Sequence, residues 1–453
     1  MNSPTERTGA AHPIGAWLSS GIATRMHAGV GFNLLGSVFN QGSTLLVNLL
    51  VANLLGRETF GQYTMVLATV AALASIGQLS MGYTATKHVA EFRSVDPEKA
   101  SRILGLCTVV SVVAALIAAA GLAVLAGWLA GPMLGSPDLA PELRVAGIAV
   151  FFTIINGLMS GALAGLEGYR ALAKAGIASG AIYALLCTLG AWAYGLAGAV
   201  TGVALSASAQ SVVLGTYLRH EASRQGIAVQ YRRMSDERAV FVGFAVPASL
   251  SAWLFQPALW IATALLARQP NGYGELALFG AANAFRSLVL FVPQAVNNVG
   301  MSLLNNQRQS SPDAYRSVFY LNAIMTTVAA VGAAAALFLA GSPLLRLFGP
   351  GFAEGHVVLG IMLAAGIIEA LSVAAYQIVV SHGRIWTSLA FVSVPRDLSL
   401  VLIAALLTPT FGAAGLATAY ATGWFFALLG ILIIVSRLGL GAPAAGTMVA
   451  SAP

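Results

Sequence analysis

Four ionisable side chains sit inside long apolar runs of this 453-residue chain: Arg286, Glu369 and the adjacent Arg396 and Asp397. A charge in hydrocarbon is expensive, so such a residue normally faces protein or a water-filled cavity and marks a working site. An arginine guanidinium stays ionised when partly buried, and its planar fork grips a phosphate-type anion bidentately. Arg286 and Arg396 are therefore candidate ligands for an anionic head group. Glu369 and Asp397 are candidates to titrate or to hold a cation, H+ or Na+, and so to couple movement to an ion gradient. Two positive and two negative charges also cancel, which leaves structural pairing as the alternative. Consecutive residues do not share a helix face. Arg396 and Asp397 are thus each expected to find a partner on another helix, such as Glu369 or Arg286.

Two polar stripes accompany these charges. Asn33, Ser37, Asn40, Gln41, Thr44 and Asn48 recur at spacings of three and four, which places them on one helix face over about 22 Å. Asn283, Arg286, Ser287, Gln294 and Asn297 form a second stripe. From these, Asn33, Asn40, Asn48, Asn283 and Gln294 join the candidate binding set, as hydrogen-bonding groups for a hydroxyl-rich cargo. The competing reading is bonding between helices, worth roughly 0.6 kcal/mol per pair.

The elements that hold these groups are helices in a bilayer. Apolar residues make up 58% of the chain and charged ones 9%, with a mean hydropathy of +0.81. That is about a third of the charged fraction of a soluble domain. Apolar runs of roughly 20 residues, the length of one crossing, occur twelve times: at about 29–55, 62–83, 103–130, 145–166, 174–194, 197–218, 239–267, 275–297, 318–340, 357–380, 386–407 and 411–435. Each midspan charge lies about 10 to 12 residues from the nearer end of its run, or roughly 16 Å at 1.5 Å per residue. That is near the bilayer midplane. The expected class is an all-α integral membrane protein.

Lysine and arginine set the orientation. With the N-terminus inside, the loops on the inner face carry seventeen basic residues, among them Lys87, Arg93, Lys99, Arg102, Arg232 and Arg233, and the outer loops only Arg57, Arg144, Arg268 and Arg346. Both termini are therefore expected in the cytoplasm. The most basic loop divides the runs six and six. The expected organisation is a cytoplasmic segment 1–28, a six-helix bundle 29–218, a basic linker 219–238, a second bundle 239–436 and a tail 437–453. A net charge of +7 distributed in this way is a topology signal, not a nucleic-acid footprint.

The halves also echo each other. Phe60-Gly61-Gln62 is matched by Tyr273-Gly274-Glu275 at an offset of 213, Pro97 and Arg102 by Pro312 and Arg316, and Gly195, Gly198 and Thr201 by Gly412, Gly415 and Thr418 at 217. Repeats with an even number of crossings share one orientation, so an axis along the membrane normal relates them, as in many alternating-access carriers. The first half carries Leu73 at the place of Arg286, and apolar or small residues near Ile155 and Gly180 at the places of the other charges. The scaffold thus folds once without them. Gly157, Gly161 and Gly165, Gly176 and Gly180, and Gly198 and Gly202 form close-packing faces. Pro247, Pro257, Pro293 and Pro395 are expected to bend spans of the second half.

Enzyme and cofactor signals are missing. There is no phosphate-binding loop for ATP, the six histidines lack metal-ligand spacing, and Cys107 and Cys187 lie far apart in apolar runs. No short apolar core with a cleavage site marks residues 1–28 as a signal peptide. A transporter without cofactor is expected.

The stretch Val51-Ala52-Asn53-Leu54-Leu55-Gly56-Arg57-Glu58-Thr59-Phe60-Gly61-Gln62-Tyr63, then Gly77, Gly82 and Thr86-Lys87-His88-Val89-Ala90-Glu91 leading into Asp96-Pro97, resembles the bacterial polysaccharide flippases. Their superfamily also holds the multidrug and toxin extruders and the lipid II flippases. Members often carry arginine where this chain has Asn53, so no basic contact is carried over to that position. The resemblance implies a V-shaped pair of six-helix bundles around a central cavity in the bacterial inner membrane. The cargo it implies is an undecaprenyl-pyrophosphate-linked oligosaccharide, moved from the inner to the outer leaflet for surface polysaccharide synthesis. It also implies membrane lipids, a polysaccharide polymerase and a chain-length regulator as partners. Arg286 resembles in position an arginine of the lipid II flippases. A small-molecule exporter of the superfamily is the alternative, and midplane guanidiniums favour an anionic over a cationic cargo. A membrane polymerase or glycosyltransferase is expected to carry a large outer loop with acidic or basic catalytic residues, for which there is no room here. A scaffold without transport would leave the midplane charges unexplained.

Overall fold

The computed structural model describes residues 21–237, 246–306, 312–382 and 385–438. The first half contains α1 (Gly21–Leu55), α2 (Arg57–Gly77), α3 (Met81–Phe92), α4 (Pro97–Trp128), α5 (Ala140–Gly165) and the long α6 (Tyr169–Arg224). The second contains α7 (Val246–Ala267), α8 (Gly272–Asn306), α9 (Pro312–Leu339), the short α10 (Gly341–Arg346), α11 (His356–Ser381), a single turn α12 (Ile385–Ser388) and the long α13 (Val394–Leu438). Among the described residues, nine helices are long and apolar enough to cross a membrane, and Trp253–Ala267 in α7 is a shorter apolar one. α6 and α13 are each broken by a glycine with positive φ, Gly195 at +60° and Gly412 at +51°. Each therefore serves as two crossings, and with α7 counted as a crossing the described helices account for the twelve expected from the sequence.

The duplication is visible in these breaks. After each one the two arms return on each other closely enough to exclude side chains. A Cβ on Gly198 would stand 1.9 Å from the Gly190 carbonyl oxygen, and one on Gly415 would stand 2.5 Å from that of Leu407. Both contacts repeat at the same offset of 217. In lipid the hydrophobic effect does not press helices together, so small residues that let backbones approach become the adhesive. α5 uses Gly161 in the same way, seated on the Gly82 carbonyl of α3, and α6 lays Gly180 against Ser43 of α1.

Local signals set the helix ends. Asp96 caps α4 by accepting from the Lys99 amide at 2.9 Å, with Pro97 in the first helical position. The second crossing is not continuous: a turn at residues 78–80 separates α2 from α3. Pro257 and Pro293 lie inside α7 and α8, Pro395 follows a π-turn at Leu389–Ser393, and Pro409 precedes the break in α13.

Within the first half α6 packs on α1 and α5, and α5 on α3 and α4; within the second α13 packs on α7 and α11, and α8 on α9 and α11. The halves meet through α2, which lies against α7 and α8, and through α1 against α8. A Cβ on Gly61 would stand 1.8 Å from the Tyr273 carbonyl oxygen, so only glycine permits this approach. Deeper in, the Trp260 indole donates to Thr69 at 2.9 Å. Residues 228–230 run beside the start of α4, where the amides of Ala228 and Gln230 donate to Ser101, and Arg102 pairs with Glu237 at 3.1 Å. The described part of the basic loop is thereby pinned to the first half.

Candidate functional site

The four midspan charges of the second half form two ion pairs on α8, α11 and α13. On α8, Asn283 and Arg286 are three residues apart and share a face; Arg286 Nε donates to Asn283 Oδ1 at 2.9 Å. Arg286 Nη1 donates to Glu369 Oε2 of α11. Tyr420, on the second arm of α13, donates its hydroxyl to the same oxygen at 3.0 Å, and its ring lies 4.9 Å beneath the guanidinium. Gly366, one turn before Glu369, leaves space for this: a Cβ there would stand 3.1 Å from Arg286 Cγ. The Arg286 and Glu369 side chains are 11% and 13% exposed.

Arg396 and Asp397 depart from expectation. Each was to take a partner from another helix, yet they pair with each other, Nε to Oδ1 at 2.6 Å and Nη2 to Oδ2 at 3.1 Å. The length of the arginine side chain accounts for this. Consecutive Cβ atoms diverge around a helix, but three methylenes let the guanidinium swing back onto the neighbouring carboxylate. The arginine still reaches across through its face, which stands 4.4 Å from the Phe255 ring of α7 and 5.2 Å from the Trp424 ring on the second arm of α13.

Aromatic rings join the two pairs. Phe255 contacts Tyr420 at 6.1 Å and Trp424 at 5.8 Å between centroids, both edge-on, while Tyr420 and Trp424 are one turn apart on α13. Arg286 thus rests on one ring of the cluster and Arg396 on two others, arrangements that add cation–π attraction in a desolvated setting. Sequence reasoning missed Phe255, Tyr420 and Trp424 because they read as ordinary residues of apolar runs. Their one visible mark is the i, i+4 spacing of Tyr420 and Trp424.

The rest of the predicted set is more scattered. Asn283 joins the cluster as described. Gln294 lies about three turns further along α8 and is exposed. On α1, Asn40 is exposed and Asn48 half-buried; the Asn40 carbonyl accepts from Thr44 at 3.0 Å. The side chain of Asn33 is outside the described residues. The first half carries neutral polar contacts instead of charges: Asn156 donates to the Ala207 carbonyl at 2.9 Å and to Gln210 at 3.2 Å, and the Tyr63 and Tyr183 hydroxyls meet at 3.2 Å. Where the second half has Asp397, the first has Gly180 packed on α1.

Chemically, the Arg286 guanidinium already holds an internal anion. Glu369 takes Nη1 of Arg286 while Asn283 takes Nε, and the Tyr420 hydroxyl gives that carboxylate a second donor. Removing either charge alone would leave its partner uncompensated in a low-dielectric setting. Among the described residues no group of three or more His, Cys, Asp or Glu side chains could hold a metal ion.

Comparison with known proteins places this geometry in a family. Residues 26–303 match the family described as Polysaccharide biosynthesis protein. The EPS I polysaccharide export inner membrane protein EpsE of Ralstonia nicotianae is 25% identical over 369 residues, covering 79% of this chain and 81% of that protein. Among solved structures, an inward-facing multidrug resistance MATE family transporter of the MOP superfamily superposes with a TM-score of 0.69 at 16% identity, over 88% of this chain and 94% of that one. The lipid II flippase MurJ in its inward closed conformation gives 0.65 at 13% identity, over 88% and 86%. These likenesses establish the fold, and the family match covers more than half of the sequence. The chain belongs to the polysaccharide biosynthesis protein family, as a multi-spanning membrane protein with the two-bundle fold of MATE transporters and the lipid II flippase.

Proposed function

We propose that this protein carries a lipid-linked oligosaccharide, as its undecaprenyl pyrophosphate derivative, from the inner to the outer leaflet of a bacterial inner membrane. The bundles 29–218 and 239–436 alternate between arrangements open to either face, with both termini in the cytoplasm. The observation that carries this reading is the Arg286–Glu369–Tyr420 cluster, added to the second half of a duplicated scaffold whose first half does without it. A sugar head group cannot cross hydrocarbon unaided, because each unpaired polar group costs several kcal/mol there. Pyrophosphate anchors it by displacing Glu369 from Arg286, and Arg396 offers a second guanidinium through the same aromatic cluster.

Displacement sets the coupling. Once the anion takes Arg286, Glu369 keeps only the Tyr420 hydroxyl, and a proton neutralises it without any coordination shell. A sodium ion at the same carboxylate would need further oxygen ligands, so H+ is the coupling ion in this reading. Asp397, held bidentately by Arg396, is the second candidate for coupling. A small-molecule exporter would share this fold, but two guanidiniums suit an anionic cargo rather than a cationic drug.

The test is export of surface polysaccharide by cells relying on the Arg286→Ala variant. Export is expected to stop although the protein still inserts in the membrane, with export compared at matched protein level. Arg286→Lys should also fail, because a point charge cannot reproduce the bidentate fork. Unchanged export in Arg286→Ala would remove this residue from the site and the reading with it.

A further inference from the structure

One arginine of the first half ties together three segments of the second. Arg57 opens α2 just after the turn at Gly56. Its Nε donates to the Gly274 carbonyl at 3.0 Å, Nη2 to Glu275 Oε1 at 3.1 Å, and Nη1 to the Gly351 carbonyl at 3.1 Å and to Glu354 at 2.9 Å. Glu275 in turn accepts from the Ala413 amide at 2.9 Å, directly after the break in α13. A Cβ on Gly412 would stand 2.5 Å from that carboxylate, so the glycine makes room for it. Beneath the network Phe60 of α2 is buried between Phe348 and Phe352, with centroids at 6.0 and 5.9 Å. All of this lies at the end opposite the basic loops. At the basic end, α3 packs on α4 and α5 of its own half.

The duplication shows that the charge at Glu275 is not needed to build the turn. Its counterpart in the first half is Gln62, a neutral side chain of the same length. A carboxylate stands only where an arginine from the other half faces it. Arg57 and Glu275 are 21% and 27% exposed, sheltered enough for the pair to matter, whereas Glu354 at 77% adds little.

We propose that Arg57 and Glu275 form a fastener that holds the halves shut at the outer end and breaks each time the carrier opens there to release its cargo. This inference rests on the alternating-access reading above, and the test separates the two. A cysteine at Thr64 sits in the joint between halves, because a Cβ on Gly280 would stand 3.6 Å from Thr64 Cβ, within the usual range for a disulfide. In a background with the buried Cys107 and Cys187 replaced by serine, spheroplasts carrying Thr64→Cys are treated with a membrane-impermeant maleimide. Glu275→Gln, which copies Gln62, is expected to raise the labelling rate several-fold, and Arg57→Gln likewise. The exchange Arg57→Glu with Glu275→Arg should slow labelling again, which a merely loosened fold would not do. Equal labelling in the parent and in Glu275→Gln overturns the fastener. Separately, oxidising Thr64→Cys with Gly280→Cys should stop export, and reductant should restore it. Export that continues through a complete cross-link overturns alternating access itself.

Discussion

At the scale of single residues, the midspan charges act in pairs whose members cannot be removed independently. Arg286→Ala strands the Glu369 carboxylate, and breaking a buried pair in this way costs about 3–5 kcal/mol. Replacing both partners with apolar residues of similar volume, Arg286→Met with Glu369→Leu, should recover most of that loss. Thermal denaturation of the purified protein in detergent is the measurement, and a double variant no more stable than Arg286→Ala would show that Glu369 is compensated elsewhere. The sequence exposed these four residues because a charge stands out in an apolar run. It did not expose their pairing, since Arg286 and Glu369 are 83 positions apart and the reach of the Arg396 side chain is invisible in residue spacing. Arg57 read as one of a few outer positive charges for the same reason.

At the scale of elements, the glycines that end one crossing and start the next were legible as Gly195 and Gly412, because their offset repeated with that of Gly198 and Gly415. Their conformations make the reason physical: both have φ and ψ that only glycine adopts without strain, costing of order 1–3 kcal/mol for another residue. Their surroundings differ. Nothing lies within 4 Å of a Cβ on Gly195, whereas one on Gly412 meets Glu275. Gly412→Ala should therefore lower the denaturation temperature more than Gly195→Ala, and a reversed order would contradict the contact between Glu275 and the α13 break. The aromatic cluster escaped notice for the opposite reason. Phe255 lies on a stretch of chain remote from Tyr420 and Trp424, all three are apolar-run residues, and only packing shows that they bridge two guanidiniums.

At the scale of the whole molecule, composition and periodicity were enough for the number of crossings and the twofold division, since a bilayer dictates helix length and a repeat dictates symmetry. Which way the halves lean was not available from the sequence, because it depends on contacts such as Gly61 on Tyr273 that join distant segments. The proposed orientation is open to direct measurement. A cysteine at Arg232, in the basic loop pinned beside α4, should react with an impermeant thiol reagent in inverted vesicles and not in intact spheroplasts. The opposite pattern would reverse the topology and move the Arg57 fastener to the inner mouth.

The two ion pairs also differ in how they must be born. Arg396 and Asp397 leave the ribosome together and can neutralise each other within a single segment, so the translocon meets a dipole instead of a net charge. Arg286 emerges long before Glu369, and α8 must wait through the synthesis of α9 and α10 for its counter-ion. During that interval its guanidinium has only Asn283 among the partners described, until α11 brings Glu369 and α13 brings Tyr420.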